Sequence, residues 1–211
     1  MGPKTIVGTA LERGLDIIAL TDHNSALNTP AVEKLCEDSG LGFLAGMEVT
    51  TREDAHVLCL FPDSATALEF GELIHSRQPV IPNNRRLMGD QIHVDSDEVV
   101  LGEVEYCLSV ATSIEWSELG VLVHEFGGLW IPAHIDRQYS GVITMLGFLP
   151  EENYDGLELV KLPYSGQTWG KKLIQDSDAH APEDIARRYW KAEAYGVSAF
   201  DRVKNSLCTR V

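Results

Sequence analysis

IIALTDH, residues 17–23, is an apolar run that ends in an acid and an imidazole. Four further stretches carry polar residues at a strand end in the same way: FLAGMEV at 43–49, HVLCLF at 56–61, LWIPAH at 129–134 and LIQDSDAH at 173–180. Apolar runs this continuous suit strands covered on both faces. Helical spacing fills the gaps between them. Residues 3–13 start on Pro3 and stop at Gly14, 29–38 start on Thr29-Pro30, and 64–76 and 115–126 follow. Strand followed by helix, repeated, predicts parallel strands with helical crossovers. Polar residues at the strand ends then belong at the carboxyl edge of a barrel or an open sheet.

Six of those side chains are candidate metal ligands: His23, Glu48, His56, His134, Asp178 and His180. Each has a plainer reading when taken alone. Thr21-Asp22-His23 also reads as a helix N-cap or a satisfied core histidine. Glu48 also reads as half of a salt bridge, although a carboxylate inside an apolar strand is seldom left unpaired. Asp178 and His180 stand two apart and share a side of extended chain, and one of them also suits an N-cap before Pro182. The coincidence decides the reading, because imidazole and carboxylate delivered from distant strand ends suit zinc, manganese or iron. His75, His93 and His124 sit at a helix end, in a hairpin and on a helix face, and are read as structural. Arg137, three residues beyond His134, is the best candidate to grip an anionic substrate.

Residues 78–103 break the rhythm with turn formers and two short strands around an acidic turn, and read as a loop and hairpin insertion in a single domain spanning residues 1–211. The chain has 32 acids against 17 bases, a formal net charge of −15. Such a surface repels phosphate backbones, so general nucleic-acid binding is not expected; the expected partner is a small phosphorylated substrate, with a short oligonucleotide left open through a local basic patch. Cys36, Cys59, Cys107 and Cys208 are widely spaced with no CxxC pair, which fits a reduced, cytoplasmic setting. No leader pattern opens the chain and no apolar run is long enough to span a membrane.

GLDIIALTDHNS, AGMEVTTRE, the strand from His56, PAHIDR and SDAH resemble, in order, the motifs of the PHP domain (polymerase and histidinol phosphatase). The resemblance extends over most of the chain and is in particular to stand-alone bacterial proteins described as metal-dependent phosphoesterases. It implies a distorted (β/α)7 barrel with two or three divalent metals, manganese, zinc or iron, at the carboxyl ends of its strands. Glu48 matches the metal-bridging glutamate, and His56 and His134 match ligands that share a metal with it. His23 and His180 match ligands of another metal, and Asp178 the aspartate of the remaining one. Arg137 matches no universal family ligand.

Proteins of this type open with a strand bearing His-x-His, followed by an aspartate ligand. Neither is found here, and Met1-Gly2-Pro3 looks like the start of the helix that follows them. The expected fold is therefore a PHP-type α/β barrel lacking its first strand, with a full metal set depending on that segment. The implied activity is hydrolysis of a small phosphate ester by a metal-activated hydroxide. Amide hydrolysis on the same metals, or a non-catalytic binding or regulatory module, are the alternatives.

Overall fold

A computed structural model describes residues 1–193 and 195–208. The elements follow in chain order: α1 (Pro3–Glu12), β1 (Ile17–Leu20), α2 (Thr29–Ser39), β2 (Gly42–Thr50), β3 (His56–Phe61), α3 (Ser64–Ser76), α4 (Arg85–Met88), β4 (Ile92–Val94), β5 (Val100–Glu103), α5 (Trp116–Glu125), β6 (Leu129–Pro132), α6 (Val142–Leu146), β7 (Leu157–Glu158), β8 (Leu173–Ile174) and α7 (Ala199–Cys208). Local signals explain several ends. The Asp63 carboxylate accepts the Thr66 N–H at the start of α3, and Gly40 ends α2 in the left-handed conformation that suits glycine.

The sheet is mixed, which corrects the expectation of parallel strands throughout. β1 and β2 are parallel, but β3 is antiparallel to both β2 and β6. The turn from 51 to 55 is too short for a helical crossover, so β2 and β3 can only form a hairpin. Backbone bonds from Asp155 N–H to the Trp130 carbonyl and from Ile135 N–H to the Glu158 carbonyl join the β6 end to β7, and β7 pairs with β8 in parallel.

Among the described residues no strand pairs β1 with β8, so the strands do not close into the (β/α)7 barrel that was expected. The open edge changes the burial of IIAL. Ala19 is exposed and Ile17 and Ile18 are half-buried, where a strand covered on both faces was expected.

Three apolar clusters hold the layers together. On the outer face, Met47, Val49, Val57, Cys59 and Phe61 pack against α3 and α5. Gly120 permits the contact with α5, since a Cβ there would come within 2.4 Å of the Trp130 ring. On the inner face, Leu44, Leu60, Ile131 and Ile174 meet Phe200, Val203 and Leu207 of α7. Strand alternation puts Leu44 and Glu48 on one face of β2, at opposite ends. The helix therefore covers one end of this inner face and leaves the Glu48 end uncovered. α1 and α2 cover β1 through Val7, Ala10, Val32 and Cys36.

No described helix is long and apolar enough to cross a membrane. All four cysteines are free, and Cys59 is fully buried, as its place in an apolar strand predicts.

Candidate metal centre

The site forms because sheet register brings distant residues side by side. Beyond β1, His23 continues the parallel ladder as an isolated bridge to Glu48, with Asn24 N–H bonded to the Glu48 carbonyl. Glu48 pairs with Leu58 across the hairpin, and Thr50 with His56, so His56 lies diagonally across from Glu48. His134 follows β6. Alternation from Ile131 would turn it away from the face that carries His56, but its φ of 30° breaks the strand and redirects the ring. Asn24 (φ 48°) and Asp178 (φ 43°) are likewise left-handed. Left-handed conformations are uncommon outside glycine, and here three of them, at residue types that tolerate the region best, fall in the turns that carry the site.

Glu48 is at the centre. Its Oε2 lies 3.1 Å from His23 Nδ1, and its Oε1 lies 3.2 Å from His56 Nδ1 and 3.1 Å from His134 Nε2. The rings form a chain, with centroids 5.3 Å apart for His23–His56 and for His56–His134, and 6.3 Å for His23–His180. Burial pushes the Glu48 carboxyl up, but His134 and His56, then His23, outweigh it and hold it well below the ordinary carboxylate range. Burial is the largest influence on His23 and lowers its pKa, against the pull of Glu48.

These residues fit a divalent cation. Ligand atoms of His23, Glu48 and His56 lie within 4.8 Å of one another. Nδ1 of His23 and of His56 are buried and close to the carboxylate, yet neither makes a hydrogen bond to it. Nitrogens that face a carboxylate without donating to it are placed to share a cation with it. The oxygen-and-nitrogen donor set suits zinc, manganese or iron.

Asp178 and His180 sit at the rim, and their surroundings differ from expectation. His180 is exposed, and its Nδ1 bonds to the Asp178 carbonyl at 3.0 Å. Since a carbonyl only accepts, His180 donates from Nδ1 and turns Nε2 away from that contact. Arg137, expected to await an anion, is paired through Nη2 with the Asp178 carboxylate. Arg187 and Arg188 donate to the carbonyls of Ser177 and Asp176 and so fix the loop that carries Asp178.

Two acids that sequence reading passed over belong to the same cleft, a space of about 870 Å³ between β1 and β8. Glu158 is fully buried and accepts the His134 N–H at 2.7 Å, which fixes the kinked backbone there. Asp176 accepts the Asp178 N–H at 2.9 Å. Burial and their mutual repulsion push Glu158 well above the usual range, and burial raises Asp176. The signal for Glu158 was present, since GLELV sets an acid in an apolar strand just as FLAGMEV does.

The remaining histidines are accounted for outside this cluster. His124 holds Asp155, which also accepts the Trp130 N–H, and His75 packs on the Tyr106 ring. His93 lines a neighbouring cavity.

The sequence profile of the PHP domain matches residues 1–160. The chain belongs to the PHP domain family. Among curated proteins none matches it significantly in sequence. Solved structures do match the fold. The lesion-specific endonuclease PfuEndoQ from Pyrococcus furiosus superposes with a TM-score of 0.66 at 18% identity, over 98% of this chain and 51% of its own. This PHP chain thus spans about half the length of that endonuclease. A Bifidobacterium adolescentis protein provisionally described as a metal-dependent phosphoesterase matches with a TM-score of 0.55 at 18% identity, over 100% of this chain and 91% of its own. An endonuclease Q complex with a 27-mer duplex bearing an abasic lesion at the active site matches with a TM-score of 0.50 at 19% identity, over 75% of this chain and 38% of its own.

The last comparison corrects one expectation. A net charge of −15 was read as arguing against general nucleic-acid binding, yet endonuclease Q, which shares this fold over part of its length, is solved in complex with duplex DNA. Net charge is a property of the whole surface, whereas charges further apart than a Debye length of about 8 Å are screened from a local site.

Proposed function

We propose that this chain is a metal-dependent phosphoesterase. The observation that carries the reading is the buried carboxylate of Glu48 facing three imidazoles at 3.1–3.2 Å. Glu48, His23, His56 and His134 would hold the cation nearest the core, and Asp178 with His180 a further one at the rim. Bound divalent cations would neutralise phosphoryl charge and activate water.

The protein's own groups do the positioning. Glu158 fixes the His134 turn through its N–H, and Arg187 and Arg188 fix the Asp178 loop. The Arg137 guanidinium, one-third exposed beside Asp178, is placed to form charge-assisted bonds to a phosphoryl oxygen.

The test is turnover of phosphomonoesters and of bis(p-nitrophenyl) phosphate with manganese. The expected result is hydrolysis that a chelator and Glu48→Gln both abolish. Metal-loaded protein with no turnover of either ester, or turnover indifferent to both treatments, would overturn the reading.

A further inference from the structure

A second, smaller cavity of about 220 Å³ adjoins the metal-ligand cluster. One wall is the turn that carries Asp22, His23 and Asn28, and the facing wall carries Met88, Ile92 and His93 from the segment between α3 and α5. Asp22 and His23 line the large cleft as well, so the two spaces meet at the first imidazole.

The facing wall is stitched in place by side-chain amides. Asn24 donates to the carbonyls of Leu108 and Val110 at 2.6 and 2.9 Å. Asn28 donates to Asp22 Oδ2 at 3.2 Å and accepts the Val94 N–H at 3.1 Å. Gln91 donates to the carbonyls of Val104 and Tyr106 and accepts the Leu108 N–H. Such a network makes the segment a fixed wall beside the site rather than a loose loop.

The lining has two characters. Met88 and Ile92 are 50% and 43% exposed, apolar groups left in water unless a ligand covers them. His93 Nδ1 is buried with no hydrogen-bond partner among the described residues, and Asp22, Ser25 and Ser109 add polar edges.

We propose that this cavity receives the group esterified to the phosphate, and that Met88, Ile92 and His93 determine the preference for it. The proposal rests on the phosphoesterase reading. With phosphate at the Glu48 centre, the alcohol side of the ester has this recess directly beside His23. The lining selects a heterocyclic or sugar ring that carries hydroxyl or amino groups. An alkyl chain would strip water from Asp22 and the serines without replacing its bonds, and a bare phosphate would meet the Asp22 carboxylate.

Two measurements test it on the whole chain. The first compares kcat/KM for adenosine 5′-phosphate and methyl phosphate with manganese, in the wild type and in Ile92→Trp and Met88→Trp, which fill the recess from its half-exposed side. The expected result is at least a tenfold preference for the nucleotide, lost through KM in both variants, with methyl phosphate unchanged. The second is saturation-transfer NMR with adenosine, which needs no turnover. Signal in the wild type and its loss in folded Ile92→Trp supports the recess even if no ester is hydrolysed, which would be a failure of the phosphoesterase reading alone. Equal loss for both esters, or no adenosine signal in the wild type, overturns the proposal.

Discussion

Oε1 of Glu48 and Nε2 of His134 lie 3.1 Å apart although 86 positions separate them in the chain. Both side chains are almost fully buried, at 6% and 1% exposure. A carboxylate drawn that far from water needs compensation, and three imidazoles supply it here. The same arrangement is what a cation requires, so its energetic purpose and its chemical purpose coincide.

Glu48→Gln keeps the shape and removes the charge. Divalent-metal affinity, read by calorimetry with manganese and zinc, is expected to fall by more than about 100-fold, beyond the 10–100-fold typical of supporting partners. A change of less than tenfold would show that the cation sits elsewhere.

The pH dependence of stability separates two groups of opposite sign, the half-buried His23 and the buried Glu158. His23 has a lowered pKa in the fold, chiefly from burial. Its contribution is complete above the unfolded value of about 6.5 and is lost as pH falls through the lower folded value. Metal-free His23→Gln should therefore lose less stability than the parent between pH 8 and pH 5, by thermal unfolding. A larger loss in the variant would contradict the assignment.

Glu158 carries the reverse sign, because burial and then Asp176 raise it. The penalty for ionising it is absent below the unfolded value of about 4.3 and grows as pH rises through the raised folded one. Glu158→Gln keeps an acceptor for the His134 N–H and removes that penalty. Its thermal midpoint should exceed the parent's at pH 8 by roughly 2–4 °C, the shift expected from about 1 kcal/mol in a chain of this size. The gain should shrink towards pH 4.

Arg137→Gln is expected to raise the Kd for inorganic phosphate on the manganese-loaded chain by at least about tenfold, the equivalent of one charge-assisted bond. Affinity at the Glu48 centre should not change. Phosphate binding that is indifferent to the substitution would leave Arg137 as a partner of Asp178 and nothing more.

The parts of this site that could be read from sequence are those set by strand ends. His23, Glu48, His56 and His134 each close or open an apolar run, and sheet register carries them together. The antiparallel hairpin was also legible, since TREDA between β2 and β3 leaves no room for a crossover helix. The expectation failed there because alternating helix and strand elsewhere in the chain dominated the reading. The Arg137–Asp178 pair was not legible, because it depends on how two loops 41 positions apart are folded. The recess beside His23 was equally hidden, since it is built by amide side chains of Asn24, Asn28 and Gln91 whose partners are backbone atoms far along the chain.

The most direct measurement is anomalous diffraction from crystals of the chain soaked in manganese. The result predicted is a peak at coordinating distance from both a Glu48 carboxylate oxygen and ring nitrogens of His23, His56 or His134. Manganese bound only at surface acids, with nothing between Glu48 and those rings, would contradict the metal centre outright.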